Sequence, residues 1–258
     1  MRPQHKTFTQ QHRPKKSLLI GGIHSVIDAM KTGVQLERIY LQNTISGQEA
    51  DELKMIAEQF EVPVNKVPFE KIRSFNLENS NGCIALKSKI KYQDLQDVIS
   101  FVVEKGEVPL ILLLDGITDI RNIGAIARTA YCCGVNAIVI PQKGVGTLNE
   151  DAINTSAGAL ENIAVCRVKS LHSAIDELHL NGIKVFASEM KATAKVYEIN
   201  FTDPCSIIMG SEDKGIHPSL YKLCDDSFKI PMEKNFESLN VSVAAGMILY
   251  EAMRQRLI

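Results

Sequence analysis

The stretch Pro109-Leu110-Ile111-Leu112-Leu113-Leu114-Asp115-Gly116 is a continuous apolar run closed by an Asp-Gly pair. A strand with water on one face alternates apolar and polar residues. A run with no polar position from Leu110 to Leu114 is instead the pattern of a parallel strand buried on both faces. Further strands are expected at Ala137 to Ile140, Ile163 to Val168, Lys184 to Ser188, Ser206 to Met209 and Phe228 to Met232. Helical patterns lie between them at Gly124 to Cys133, Glu150 to Leu160, Ser173 to Leu180 and Pro218 to Cys224. The last helix, Val241 to Arg256, carries Val241, Ala244, Ala245, Ile248 and Ala252 on one stripe. Alternating strands and helices predict an α/β fold with a parallel sheet covered on both faces.

Working back from Pro109, residues 90–108 are polar and poorly patterned and read as a linker, with room for a helix around Leu95 to Val103. Before it, a smaller α/β unit is expected over residues 17–89. It has strands at Leu18 to Gly21, Arg38 to Gln42, Val62 to Val67 and Cys83 to Lys87. Its helices are Ser25 to Lys31, Glu49 to Phe60 and Phe69 to Phe75. In the second helix Leu53, Ile56, Ala57 and Phe60 share one face. Residues 1–16 form a basic tail in which Arg2, Lys6, Arg13, Lys15 and Lys16 meet no acid. Such a tail reads equally as a disordered solubilising segment and as an RNA-contacting arm.

The chain has 258 residues and a net charge of −1, but the charge is unevenly spread. Up to Tyr92 there are 14 Lys and Arg against 9 Asp and Glu; beyond it, 15 against 21. A basic front joined to an acidic back points to a polyanionic partner for the front. No apolar run approaches the roughly 20 residues that span a bilayer. The N-terminus lacks the apolar core of a signal peptide. Six cysteines, with no CxxC pair, argue against a zinc site or disulfide framework and predict buried thiols in a cytoplasmic protein with no metal.

A parallel sheet directs attention to the carboxyl ends of its strands. The GxGxxG fingerprint is absent there, since Gly144-Val145-Gly146 continues as Thr-Leu-Asn, and no P-loop occurs. This disfavours dehydrogenase and NTPase readings. Three other segments are richer. In Asp115 to Ala130, Asn122 and Gly124 are expected at a helix start, where free N–H groups favour an anion. Arg128 follows on a helix of Ala, Ile and Gly, and must find a carboxylate, a phosphate or solvent. In Ile207 to Gly215, a strand enters a tight turn bounded by Gly210 and Gly215 with Glu212 as an acceptor. In Ile230 to Gly246, Ser238-Leu239-Asn240 precedes the last helix, either as its cap or as donors to a ligand.

In this order and at these intervals, the three segments resemble the signature motifs of the SpoU (TrmH-type) branch of the SPOUT RNA methyltransferases. The matching residues are Asn122-x-Gly124-x-x-x-Arg128, Gly210-x-Glu212-x-x-Gly215, and Ile230-Pro-Met232 followed by Ser238-Leu-Asn240-Val-Ser242. Thr147 and Ser156-Ala-Gly158-Ala159-Leu-Glu161 also look like that family's intermediate helix. The likeness runs from Pro109 to the C-terminus. Residues 17–89, through Gly22-Ile-His24 and the α/β pattern, resemble the RNA-binding domain related to ribosomal proteins L30e and L7Ae that precedes many such enzymes.

The resemblance implies a C-terminal deep trefoil knot, a homodimer, S-adenosylmethionine as cofactor and methyl transfer to a ribose 2′-hydroxyl of RNA. By motif position, Asn122, Arg128, Glu212, Ser238 and Asn240 match the catalytic set, and Gly210, Ile230, Met232 and Leu239 the cofactor-binding positions. The implied substrate is a guanosine of large-subunit (23S) rRNA; a tRNA substrate, or a non-catalytic RNA-binding or ribosome-assembly protein, is the alternative. One departure from the family pattern is Lys234, where a glycine is usual two residues after the Met of Ile-Pro-Met. His24, His172, His179 and His217 are scattered and are expected in solvent-facing or capping roles.

Overall fold

A computed structural model describes residues 16–146, 148–233 and 238–257. The N-terminal tail through Lys15, Thr147 and Lys234 therefore lie outside the described residues. The chain separates into two compact units, with the division after Lys87.

The first unit contains strand β1 (Leu19–Gly21), helix α1 (Ile23–Lys31), β2 (Leu36–Gln42), α2 (Gln48–Gln59), β3 (Val64–Val67), α3 (Phe69–Ser74) and β4 (Cys83–Lys87). Its four-stranded sheet has the order β1-β4-β2-β3, mixed in direction: β4 runs antiparallel to β1 and β2, while β3 runs parallel to β2. Val26, Ile27 and Met30 of α1 and Leu53, Ile56 and Ala57 of α2 pack with Ile39 and Leu41 into one core. Phe60, expected on that face of α2, is instead its exposed C-terminal cap.

The second unit begins with α4 (Leu95–Glu104), within the segment expected as a linker. Leu95, Val98, Ile99 and Val102 recur at helical spacing and are buried against the large sheet, so this segment belongs to the second unit's core. Asp94 caps the helix by accepting from the Asp97 N–H. The remaining elements are β5 (Leu110–Asp115), α5 (Ile120–Cys132), β6 (Ala137–Pro141), α6 (Glu150–Thr155), β7 (Ala164–Val168), α7 (Leu171–Leu180), β8 (Lys184–Ser188), β9 (Ala194–Lys195), β10 (Cys205–Gly210), α8 (Pro218–Tyr221), β11 (Asp226–Lys229) and α9 (Val241–Arg256).

These strands form a seven-stranded parallel sheet of order β7-β6-β5-β10-β8-β11-β9. Leu110 to Leu114 are fully buried in β5, between β6 and β10. Leu110, Leu112 and Leu114 join a core with α5 and α9, while Ile111 and Leu113 join one with α4 and α7. This two-sided burial accounts for the unbroken apolar run. Truncating Leu112 to Ala would cost about 2–5 kcal/mol.

Helix α6 ends at Thr155 rather than running to Leu160. Ala157 and Gly158 both have positive φ, 51° and 84°, which breaks the helix before a short 3-10 turn at Ala159–Glu161. The thiols are not uniformly buried: Cys83, Cys166 and Cys205 are, Cys133 and Cys224 are half-buried, and Cys132 is exposed.

Candidate active site

The carboxyl ends of β5, β8 and β10 lie side by side near the centre of the large sheet, where the chain reverses its direction of travel across the strands. Gly210 closes β10. A β-carbon there would lie 2.0 Å from the carbonyl carbon of Gly215 and 2.2 Å from the nitrogen of Ile216, so the returning backbone occupies the side-chain space. Gly215, at φ 65°, donates its N–H to the Ser211 carbonyl at 2.8 Å and closes the turn. The His217 N–H, just beyond, donates to Asp115 Oδ2 at 2.7 Å and ties the turn to the end of β5. The glycines of this motif thus serve backbone packing first.

Glu212 projects from that turn and gathers the other two motifs. Its Oε1 accepts from Asn122 Nδ2 at 3.2 Å, from Asn240 Nδ2 at 2.6 Å and from the Val241 N–H at 3.0 Å. Asn240 Nδ2 also donates to Asn122 Oδ1 at 3.2 Å. Asn240 Oδ1 caps α9, accepting from the Ser242 N–H at 3.0 Å and from the Ser242 hydroxyl at 2.5 Å. A carboxylate at a helix N-terminus is favoured by the orphan N–H groups and by the helix dipole. Asn240 therefore does cap the helix, and the same side chain locks α9 to Glu212 and Asn122.

Beside this cluster is a cavity of about 630 Å³, within the range of small-molecule sites. Gly210, Glu212, Ile230, Ser238 and Leu239 line it, as do Met209, Val241 and Ala244. Asn122 and Asn240 hold Glu212 without lining the cavity, and Met232 is half-buried off its wall. Arg128 is exposed and, among the described residues, makes no hydrogen bond or ion pair. Its six-residue offset from Asn122 is roughly 1.7 helical turns, so the two point from different faces of α5.

The expected anion site at the start of α5 is not what the structure has. The helix begins at Ile120, capped by Asp119, whose carboxylate accepts from the Arg121 N–H at 2.9 Å and pairs with its guanidinium at 3.2 Å. Those bonds from Arg121 hold the Asp119 carboxyl below its ordinary range. Gly124 lies inside the helix, where a β-carbon would come within 2.7 Å of the Ala152 carbonyl oxygen and 2.8 Å of Thr155 Cβ. It permits close packing of α5 on α6. Nearby, the buried Ser156 hydroxyl donates to the Ile153 carbonyl at 2.8 Å.

Sequence reasoning passed over Glu189, Lys191, Lys214, Lys222 and Lys229, which also line the cavity. They come from separate loops and strand ends, so no periodicity links them; only the ends of the strands that carry them could have pointed there. Among the described residues, no group of three or more His, Cys, Asp or Glu side chains is placed to hold a metal.

A cavity at the carboxyl edge of a parallel sheet, walled by a carboxylate-centred cluster of three chain segments, defines an α/β ligand-binding domain of enzyme type. Residues 109–250 match the SpoU rRNA Methylase family, and residues 19–93 match the family described as RNA 2′-O ribose methyltransferase substrate binding. The chain belongs to the SpoU rRNA Methylase family. A protein of Bacillus subtilis (strain 168) named as a TrmH family tRNA/rRNA methyltransferase, YacO, is 32% identical over 236 residues, spanning 91% of this chain and 94% of its own. A TrmH family counterpart in Staphylococcus aureus (strain MSSA476) is 33% identical over 238 residues, spanning 92% and 96%. Among solved structures, an RNA 2′-O ribose methyltransferase matches with a TM-score of 0.55 at 25% identity, covering 93% of this chain and 89% of that one. The SpoU methyltransferase AviRb from Streptomyces viridochromogenes, in complex with AdoMet, shares the fold with a TM-score of 0.60 at 23% identity, covering 93% and 90%.

Proposed function

We propose that this protein transfers a methyl group from S-adenosylmethionine to a ribose 2′-hydroxyl of RNA, the substrate being a guanosine of large-subunit (23S) rRNA. The observation that carries the reading is the convergence of Asn122, Glu212 and Asn240, one from each motif, beside a cavity lined by Gly210, Ile230, Ser238 and Leu239. The lining suits the cofactor: Met209, Ile230, Leu239, Val241 and Ala244 offer apolar contact for a purine, and Ser211 and Ser238 offer hydroxyl groups.

When bound, S-adenosylmethionine supplies a methyl group already activated by its sulfonium sulfur. The protein must then place the 2′-oxygen in line with the methyl group and let its proton pass to solvent water. A guanidinium keeps its proton at neutral pH and is a poor base. The part assigned to Arg128 is therefore electrostatic: it holds the neighbouring phosphate and stabilises the developing alkoxide. Ser238, on the cavity wall, orients the ribose, while Glu212 fixes Asn122 and Asn240 and with them the start of α9.

A homodimer is part of this reading. It is supported by the exposed Val243, Met247 and Tyr250 at helical spacing on α9, and by exposed Tyr131 one turn from Arg128 on α5. The reading also carries the family's trefoil knot in the C-terminal segment and a cytoplasmic location. The match of residues 19–93 to a substrate-binding family supports an RNA-recognition role for the first unit. Mapping 2′-O-methylation across rRNA and tRNA from cells with and without this gene tests the substrate. Loss of a single rRNA mark is expected; loss of a tRNA mark alone would overturn the rRNA assignment.

A further inference from the structure

Lys191, Lys214, Lys222 and Lys229 line the cavity. Each comes from a different element: the turn after β8, the turn after β10, the C-terminal end of α8 and the end of β11. The first three are exposed and Lys229 is half-buried. Among the described residues none of the four makes an ion pair, whereas Lys31, Lys54, Lys89 and Lys195 each pair with a nearby acid. The described carboxylates on the same wall are Glu189 and Glu212. Glu212 is already committed to Asn122, Asn240 and the Val241 N–H. Among the described lining residues the lysines outnumber the carboxylates four to two.

That charge does not suit the cofactor alone. S-adenosylmethionine carries a sulfonium and an ammonium against a single carboxylate, so a ring of lysines opposes it unless an anion shares the mouth. Lysine is a flexible, strongly hydrated point charge suited to phosphate. Four ammonium groups converging on one opening, with no ion pair among the described residues, also focus a field that draws a polyanion.

We propose that Lys191, Lys214, Lys222 and Lys229 form a phosphate-binding rim that seats a single RNA strand across the mouth of the cofactor cavity. This inference rests on the methyltransferase reading for the identity of the polyanion. The rim contacts backbone and reads no base, so it strengthens binding without choosing the nucleotide. It also couples the two ligands: phosphates that neutralise the lysines remove their repulsion of the cationic cofactor, so RNA and cofactor each tighten the other's binding.

The test uses the full chain and a fluorescein-labelled oligouridylate, with affinity followed by anisotropy as salt is varied. Each phosphate contact contributes about −0.7 to the slope of log K against log salt for single strands. The variant Lys214→Ala/Lys222→Ala/Lys229→Ala is expected to flatten the slope by roughly 2. Restoring charge with Lys214→Arg/Lys222→Arg/Lys229→Arg is expected to restore it. A control, Lys105→Ala/Lys184→Ala, away from the cavity, is expected to leave it unchanged. Circular dichroism checks folding, and calorimetry with S-adenosylmethionine alone is run on every variant. An unchanged slope in the triple alanine variant, or an equal loss in the control, overturns the rim. Weaker cofactor binding with an unchanged RNA slope assigns the lysines to the cofactor carboxylate and also overturns it. Failure of the wild-type protein to bind the cofactor would count against the methyltransferase reading instead, and leave the salt slopes to judge the rim.

Discussion

Asn240 donates its side-chain amide to Glu212 at 2.6 Å, joining the start of α9 to the turn after β10. The same carboxylate oxygen accepts from Asn122 on α5, so one charged acceptor holds three segments distant in sequence. Hydrogen bonds to a charged group contribute about 1.5–3 kcal/mol, and removing the acceptor leaves its donors unpaired. Glu212→Ala is expected to lower methyl transfer on the order of 100-fold by releasing Asn122, Asn240 and the start of α9 from their alignment, a loss of about 2.7 kcal/mol of transition-state stabilisation. Steady-state kinetics alongside thermal unfolding checks this: a drop in Tm should accompany the drop in kcat, with the variant still folded at the assay temperature. Wild-type turnover in that variant would remove the cluster from the mechanism.

Arg128→Ala is expected to abolish transfer while leaving cofactor affinity close to wild type, because Arg128 does not line the cavity. Calorimetry and a filter-binding methyl-transfer assay on the same preparation decide it. Near-normal turnover, or loss of cofactor binding, contradicts the role given to this residue.

Gly210→Ala should be far more damaging to the fold than its one added methyl implies. The new carbon would meet backbone atoms of Gly215 and Ile216 at 2.0–2.3 Å, and backbone cannot swing aside as a flexible side chain does. A loss of at least about 4 kcal/mol is expected, the range of severe core disruptions. Urea unfolding of the soluble fraction measures it. Gly246→Ala, where an added carbon meets nothing within 4 Å, should cost little and serves as the control.

Much of this was legible in the sequence, and the limits have physical causes. The Leu110–Leu114 run announced a doubly buried central strand because five consecutive apolar residues leave neither face polar. Asn122, Glu212 and Asn240 could be selected by motif, and the structure joins them directly. Gly124 was misread because a glycine near a helix start serves close packing as readily as anion binding, and only the position of α6 separates the two. The helix within residues 90–108 was partly hidden because its buried face is short and because Phe101 and Val103, apolar but exposed, blur the stripe. The lysine rim carried no sequence signal, since side chains from four separate elements meet only once the chain is folded.

The C-terminal end of α9 should report on acid. Hydrogen bonds from Arg254, then from Gln255, hold the Glu251 carboxyl down at about 2. A carboxyl depressed below its unfolded value contributes stability above that unfolded value and loses it as pH falls toward about 2. Arg254 is 47% exposed, so solvent screening keeps the contribution small. Gln255 also bonds the Ile199 carbonyl and the Phe201 N–H, so loosening this end should reach the entry to β10. The Tm difference between wild type and Glu251→Gln should be largest near neutral pH and shrink steadily between about pH 4.5 and 2. A difference that does not change across that window contradicts the assignment.

The most direct measurement of the central claim is incubation of the purified protein with methyl-labelled S-adenosylmethionine and large-subunit rRNA. The RNA is then digested to nucleosides and the label located by mass spectrometry. The account predicts label in a 2′-O-methylated nucleoside, with none in the Arg128→Ala variant and on the order of 100-fold less in Glu212→Ala. Label on a base, or no transfer to RNA from a protein that binds the cofactor, would contradict it.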